Sequence, residues 1–539
     1  MNMNTWRSID ELEDKPGFRD WLQREFPPLA SEWTTAPSRR SFLKIMGASF
    51  ALAGLNACTR QPLEKIVPYV KQPEDLVPGQ PLYFATALNL DGYARGVLVE
   101  SHEGRPTKIE GNPEHPASLG ASDIFMQAEI LTLYDPDRSK SVMNGLELAT
   151  WDGFLALVAR EREKWKLNGG AGLRLLTGHT TSPTLLSQME KLLKDFPNAK
   201  WHTYEPLAPV VPQPFYDVAK AEVILAIEDD FLGPGPAQLK YARDFASRRR
   251  ANSGTTHFNR LYVAESTPTI TGARADHRFA LGLRALQEFA NALTTGAALP
   301  DWSVQVIADI KKNAGKSLML VGDSLPEEAR EFARNWNQPL QIAEPLPSNG
   351  NSLGELISEI DTGKIETLVI LGGNPAYDAP VDFNFVEKLA RVPLRIRLGL
   401  YEDETSALCQ WHIAEAHALE TWSDTRAFDG TATIMQPLIE PLYGGKSAHE
   451  MIAALTGNEV ASGYEIVRQY WLTQQAGNDF EKYWRKSLHD GVVEGTAASK
   501  PSQFVPRHGA AVSGSGLELV FRPSPSTRDG RFANNAWLQ

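Results

Sequence analysis

The sequence predicts an α/β fold, in which a small β-rich N-terminal domain precedes two lobes built on parallel sheets of the nucleotide-binding type. Three observations support this prediction. The chain has 539 residues, whereas a typical domain has about 150. Hydrophobic residues make up 42% and charged residues 22%, an ordinary globular composition. Short apolar runs alternate with stretches of helical periodicity, which is the pattern of strands joined by crossover helices.

The β-rich start is predicted from two runs, residues 96–100 and 107–110, with a turn at residues 103–105 between them. After them, apolar runs of strand length alternate with predicted helices. The helices are expected at residues 149–166, at residues 326–335 and around Leu185, Met189 and Leu192. The strands are expected at residues 173–176, 223–227, 261–265, 318–322, 368–371 and 394–398. Such alternation favours parallel sheets with helical crossovers.

The N-terminus has the pattern of an export signal. A Ser-Arg-Arg-Ser-Phe-Leu-Lys motif containing Arg39 and Arg40 precedes an apolar run, and the run ends at Cys58. This order predicts a twin-arginine (Tat) signal over residues 38–58, in which Cys58 occupies the position of a lipidated cysteine. The alternatives are a buried amphipathic helix and a plain thiol. Residues 1–37 form an extension before this signal.

Residues 59–82 contain five prolines and predict an extended linker, which either wraps a partner or is a plain spacer. The net charge of −12 argues against a nucleic-acid partner, because no basic excess exists to neutralise phosphates.

The sequence has two cysteines, too few for an iron–sulfur cluster, and Cys409 is predicted to be a buried thiol. His412 and His417 lie near glutamates, and a hydrogen-bonded polar loop is favoured there over a metal site.

Ligands of open α/β sheets bind beyond the carboxyl ends of the strands. Gly372, Gly373, Asn374 and Pro375 follow a predicted strand and allow close approach of the backbone to a phosphate, although the same residues also suit a tight turn. Residues 228–230, Glu-Asp-Asp, follow another strand and would repel a phosphate. The Gly-Gly-Asn-Pro loop is therefore the candidate cofactor-binding site.

Several motifs resemble the molybdopterin oxidoreductase (dimethyl sulfoxide reductase) family. They lie at residues 96–100, 104–116, 133–138, 371–376 and 405–424. The resemblance implies the first three domains of that fold without its C-terminal barrel. It makes residues 372–375 the counterpart of the family's pterin-dinucleotide loop, intact or vestigial. The implied domains are residues 83–133 (domain I), 134–168 with 316–480 (domain II) and 169–315 (domain III), and residues 481–539 form a connector towards the missing domain.

Residues 65–70, 259–269 and 422–443, together with the displaced arginine signal, resemble one branch of the family. That branch contains the large molybdopterin-like, iron–sulfur subunit of alternative complex III, a bacterial membrane quinol oxidoreductase whose acceptor is cytochrome c or a high-potential iron–sulfur protein. The resemblance implies three kinds of partner: a ferredoxin-like iron–sulfur subunit, a multihaem cytochrome c subunit and integral quinol-binding membrane subunits. It also implies a location on the periplasmic side of the inner membrane, with a lipid anchor if Cys58 is acylated.

The chain departs from the catalytic members of this family in its cysteines. None occurs at residues 84–96, 120–123 or 171–215, where such members carry cluster or molybdenum ligands; a Ser or Asp ligand to molybdenum stays open. The favoured expectation is a scaffold subunit that binds no cofactor itself, its iron–sulfur clusters lying on a separate or missing part. The alternatives are a periplasmic enzyme holding molybdenum bis-molybdopterin guanine dinucleotide and a lipid-tethered binding protein. Phe532 and Trp537 are predicted to form an exposed apolar end.

Overall fold

A three-stranded antiparallel sheet begins the part of the chain that the computed structural model describes, namely residues 77, 79–207, 214–250, 258–337, 341–342, 351–475, 479–497 and 516–539. Its strands are β1 (Leu82–Leu90), β2 (Tyr93–His102) and β3 (Arg105–Gly111). Both connecting turns have two residues with positive φ, first Asp91 and Gly92, then Glu103 and Gly104. This is the turn chemistry that matches the twist of a tight hairpin. Helix α1 (Ile124–Leu133) packs on the sheet.

An eight-stranded sheet forms the centre of the larger lobe. Its spatial order is β14-β7-β6-β15-β16-β17-β4-β5. The first six strands run parallel, and β4 and β5 add an antiparallel edge. The strands are β4 (Val142–Asn144), β5 (Glu147–Ala149), β6 (Leu173–Thr177), β7 (Lys200–Thr203), β14 (Asn351–Ser352), β15 (Thr367–Leu371), β16 (Leu394–Gly399) and β17 (Trp411–Ala414).

Helices cover both faces of this sheet. One face carries α2 (Trp151–Asn168), α3 (Pro183–Asp195) and α13 (Ala448–Thr456), whose buried side chains share a core with β6, β15, β16 and β17. The other face carries α9 (Leu353–Asp361) and α11 (Phe385–Leu389). Because both faces are buried, the central strand β15 is apolar throughout apart from Thr367, as expected for a covered parallel sheet.

A second, four-stranded parallel sheet has the order β11-β10-β9-β12. Its strands are β9 (Val223–Ile227), β10 (Arg260–Glu265), β11 (His277–Ala280) and β12 (Ser317–Val321). Apolar cores lie on both faces. The helices of this lobe are α4 (Gln238–Ser247), α5 (Ile270–Ala273), α6 (Leu283–Thr295), α7 (Asp301–Lys312) and α8 (Glu327–Asn337).

The remaining strands form two short pairs. Strands β18 (Ser423–Arg426) and β19 (Ala432–Met435) pair with each other, and β8 (Pro214–Phe215) pairs with β13 (Gln341–Ile342). Helices α14 (Gly463–Gln474) and α15 (Phe480–Asp490) pack on the β18–β19 pair through Trp471 and Trp484. Two other short helices are α10 (Pro375–Asp378) and α12 (Glu404–Ala407). None of the helices in the described ranges is long and apolar enough to cross a bilayer.

The predicted fold class is confirmed, but the predicted division between the two lobes is wrong in two places. Strands β6 and β7, assigned to residues 169–315, belong to the eight-stranded sheet, where Leu175 lies opposite Val369. Strand β12, assigned to the lobe of residues 316–480, belongs to the four-stranded sheet, where Met319 lies opposite Leu225. All of these strands are short apolar runs, so the pairing partner of each is decided by tertiary packing and not by its own residues.

The predicted exposed apolar end is also partly wrong. Phe532 is only 4% exposed and packs on Phe125 of α1, with ring centroids 5.1 Å apart. Leu538 is buried in the same cluster. Trp537 is 64% exposed, as predicted. The small β-domain and its helix α1 therefore cover Phe532 and Leu538 within this chain.

Candidate functional site

The Gly-Gly-Asn-Pro loop lies at the carboxyl end of β15. Gly372 and Gly373 both have positive φ, near +67°, a conformation that glycine adopts without steric cost. The Asn374 side chain accepts hydrogen bonds from the backbone and hydroxyl of Thr405 and donates one to Glu404 at 2.7 Å. These contacts fix the loop to α12, and they already use the polar atoms of the Asn374 side chain.

A cavity of about 580 Å³ opens beside this loop. Its walls include the residue that follows each of five parallel strands: Gly178, Tyr204, Gly372, Leu400 and Glu415. The cavity therefore lies at the carboxyl edge of the eight-stranded sheet, where open α/β sheets bind ligands. The structure confirms the predicted position of the loop relative to that edge.

The charge of this cavity is strongly acidic. Among the described residues that line it, two are arginines, Arg397 and Arg531, and eight carry carboxyl groups. These eight are Asp137, Glu205, Asp378, Glu402, Asp403, Glu404, Glu415 and Asp529. Sequence analysis identified none of these ten residues as part of the site, because they come from six separate segments. The one available signal was Arg397, which together with Arg395 interrupts the apolar residues of β16.

Both arginines are already paired within the protein. Arg397 donates to Asp403 at 2.5 Å, to the Ser406 hydroxyl at 3.0 Å and to the Gly372 carbonyl at 3.3 Å. Arg531 donates to Asp529 at 2.6 Å and also to Glu205. Neither guanidinium group is left to bind an external anion.

Two of the carboxyl groups titrate near neutrality. Burial raises the pKa of Asp378 to about 7, and the neighbouring Asp529 and Glu205 add to the shift. Burial also raises the pKa of Glu415 to about 7, against the opposing effect of Arg397 and Arg138. One oxygen of Asp378, Oδ1, is buried without a hydrogen-bond partner. Both carboxyl groups therefore exchange protons in the physiological range, and neither supplies positive charge to the cavity.

The predicted histidine loop is a set of hydrogen bonds. His412 lies between the hydroxyls of Ser139 and Ser406, at 2.7 Å and 3.0 Å, and burial lowers the pKa of His412 to about 4. His417 contacts Glu129 at 3.0 Å. Within the described residues no group of three or more His, Cys, Asp or Glu side chains is arranged to hold a metal ion. Cys409 is buried, as predicted, and burial raises the pKa of Cys409 to about 11.

A second cavity, of about 310 Å³, lies at the carboxyl edge of the four-stranded sheet. Glu228 follows β9 and Gly322 follows β12, and both line it together with Asp229 and Asp230. Burial raises the pKa of Asp229 to about 7, and Asp323 and Asp230 raise it further. This edge is acidic, as the Glu-Asp-Asp sequence indicated.

A pterin dinucleotide carries a pyrophosphate, so its site needs hydrogen-bond donors and positive charge. The Gly372–Gly373 backbone supplies close approach, but the cavity around it supplies carboxylates and two arginines that are already paired. The residues present therefore do not fit the dinucleotide.

The predicted signal residues Arg39, Arg40 and Cys58 lie outside the described part of the chain.

Comparison with known proteins agrees with the architecture. No family model matches the sequence. The chain is 23% identical over 583 aligned positions to the menaquinone reductase, molybdopterin-binding-like subunit of Nitratidesulfovibrio vulgaris, and the alignment covers 90% of this chain and 79% of that protein. It also superposes on acetylene hydratase from Pelobacter acetylenicus with a TM-score of 0.50 and 14% identity, over 75% of this chain and 71% of the hydratase.

The chain is thus similar in sequence to a molybdopterin-binding-like subunit. The small antiparallel sheet and the two parallel-sheet lobes form the molybdopterin oxidoreductase fold. Within this fold, the Gly-Gly-Asn-Pro loop turns on two glycines with positive φ at the carboxyl end of β15. The charges around the loop distinguish this chain from a protein that binds a pyrophosphate there.

Proposed function

We propose that this chain is the molybdopterin-oxidoreductase-like subunit of a bacterial membrane complex that oxidises quinol, of the alternative complex III type, and that it acts as a scaffold without a redox centre of its own. The observation that carries the proposal is the excess of carboxyl groups at both sheet edges, where the lining arginines are already paired. Arg397 and Arg531 are paired in the larger cavity, and Arg330 and Arg334 both bond Glu327 in the smaller one. The relative named as a menaquinone reductase subunit supports membership of a respiratory quinone-converting assembly.

The proposed partners are an iron–sulfur subunit of ferredoxin type, a multihaem cytochrome c and quinol-binding membrane subunits. The proposed acceptor is cytochrome c or a high-potential iron–sulfur protein. Arg39 and Arg40 would direct export by the Tat route to the periplasmic side of the inner membrane, and Cys58 would carry a lipid there. In this arrangement electrons pass through the partners, and this chain holds them in position.

A second candidate is a periplasmic molybdenum enzyme. The two positive-φ glycines at residues 372 and 373 favour it, because they let backbone N–H groups approach a ligand. The two candidates differ in metal content, which can be measured directly.

The test is elemental analysis of the protein purified from its own membranes with its partners attached. We expect iron from the partners and no stoichiometric molybdenum or tungsten, because the acidic edges reject the cofactor that would carry either metal. A ratio near one molybdenum or tungsten per chain would overturn the scaffold proposal and establish the enzyme. The protein after dissociation of its partners is the control, and it should lose the iron.

A further inference from the structure

Residues 517–538, here called the C-terminal strap, cross the carboxyl edges of both parallel sheets. The first part, residues 517–522, alternates between inward and outward side chains. Glu518 accepts a hydrogen bond from the Arg284 backbone at the start of α6, and Val520 packs into the core of the four-stranded lobe. Arg522 donates to Glu228 at 2.5 Å. This part thus runs from the segment after β11 to the residue that follows β9.

The middle of the strap reaches the small β-domain and then the Gly-Gly-Asn-Pro loop. Arg528 donates to Asp91 in the β1–β2 turn at 2.5 Å, and its guanidinium lies 5.3 Å from the centre of the Phe125 ring. Arg531 then enters the larger cavity and bonds Glu205 and Asp529. A side chain at position 530 would come within 2.8 Å of Tyr377. The strap therefore occupies the space next to residues 372–375.

The end of the strap is anchored on α1. Asn535 donates to the Ala128 carbonyl at 2.7 Å, and Phe532 and Leu538 are buried with Phe125. The strap therefore contacts the four-stranded lobe, the small β-domain and the eight-stranded lobe in succession.

Charge complementarity links these contacts. Each of the arginines at positions 522, 528 and 531 meets a carboxylate in a turn or at a strand end, namely Glu228, Asp91 and Glu205. Charge-assisted bonds of this kind are roughly twice as strong as neutral hydrogen bonds. Glu228 and Glu205 lie beyond the carboxyl ends of β9 and β7, where open α/β sheets bind their ligands, and carboxylates at these positions repel phosphates.

We propose that the strap is an internal ligand, and that the acidic residues at the strand ends recognise its arginine side chains in the place where the fold otherwise holds a dinucleotide. This inference rests on the proposed scaffold function, since it explains how the sheet edges are filled without a cofactor. The strap joins the three sheet-bearing parts into one rigid body on which partners assemble.

The test is amide hydrogen exchange, followed by mass spectrometry, on the full chain with its partners. In an Arg528→Gln, Arg531→Gln variant we expect amides of residues 372–378 and 524–538 to exchange about tenfold faster, which corresponds to about 1.4 kcal/mol of lost interaction. Amides of β6 and β15 should keep their protection, which shows that the lobe stays folded. Arg531→Lys should restore part of the protection because it keeps the charge.

The matched control is Arg485→Gln, which alters an exposed arginine of α15 outside the strap. It should change exchange in neither region. Unchanged exchange at residues 372–378 in the double variant would overturn the internal-ligand proposal. This outcome is distinguishable from that of the metal analysis. Stoichiometric molybdenum would overturn the scaffold function and show that the strap does not take the place of the dinucleotide, whereas unchanged exchange would overturn the strap contacts themselves.

Discussion

Arg138 and Glu420 form a fully buried ion pair, 1% and 0% exposed in their side chains. Two parallel bonds of 3.1 Å and 2.6 Å join them, and Glu420 also accepts from the backbones of His417 and Leu442. The pair therefore connects two family-like motifs that are 282 residues apart in sequence. Its role is structural, because the Glu420 carboxylate is held by Arg138 and by two backbone N–H groups and so ties these segments together.

Replacing one member of this pair leaves the other charge buried without its partner. We expect Glu420→Leu to lower the free energy of unfolding by about 3–5 kcal/mol, measured as a shift of the urea midpoint at constant slope. The matched control is Lys166→Met, which breaks an exposed pair with Glu163 and should cost at most about 1 kcal/mol. A loss below about 1 kcal/mol for Glu420→Leu would contradict the structural role.

At the scale of elements, the ends of β9 and β12 approach each other closely. Gly322 follows β12, and a side chain there would lie 1.9 Å from the Glu228 carbonyl oxygen. Glu228 itself has a φ of 52°, so the chain turns sharply as it leaves β9. Glycine at position 322 allows this approach, which also closes one wall of the smaller cavity.

We expect Gly322→Ala to destabilise the four-stranded lobe by about 1–3 kcal/mol, because the added methyl group forces the two strand ends apart. Thermal unfolding followed by circular dichroism measures the effect. Gly354→Ala is the matched control: it lies in the first turn of α9 with ordinary contacts beyond 3.5 Å, and it should be neutral or slightly stabilising. Equal effects of the two substitutions would refute the close-approach argument.

At the scale of the whole molecule, carboxyl groups dominate both sheet edges, and some of them titrate near neutrality. Asp378, Glu415 and Asp229 all have a pKa raised to about 7 by burial. A carboxyl group of this kind binds its proton more tightly in the folded state than in the unfolded state. Stability contributed by these groups therefore falls as the pH rises from about 4 to about 7, and it is constant above that.

We expect Asp378→Asn to remove part of this pH dependence. Relative to the unmodified protein, the variant should gain about 4 kcal/mol of unfolding free energy between pH 4 and pH 8, since the pKa of the Asp378 carboxyl is about 7 in the folded state and about 4 in the unfolded state. Urea unfolding at several pH values measures this difference. Glu114→Gln, the same kind of substitution at an exposed turn, is the control. A difference in unfolding free energy for Asp378→Asn that stays constant across this pH range would contradict the raised pKa of Asp378.

Local patterns were sufficient to predict most of the elements. The strand predicted at residues 223–227 coincides with β9, and the turn predicted at residues 103–105 overlaps the two positive-φ residues between β2 and β3. The Gly-Gly-Asn-Pro loop was found because glycines after a strand have a recognisable local meaning. Strand β1 was missed, because its nine residues begin inside the predicted proline-rich linker.

By itself the sequence determined the α/β class, the position of the loop at a strand end and the family resemblance, since each depends on residues that are close together in the chain. Only the tertiary structure decided which strands share a sheet and what surrounds the loop. Arg531 and Glu205 are 326 residues apart, so nothing in their local sequence marks them as partners. The cavity takes its charge from residues on six distant segments, and that charge exists only once the chain has folded.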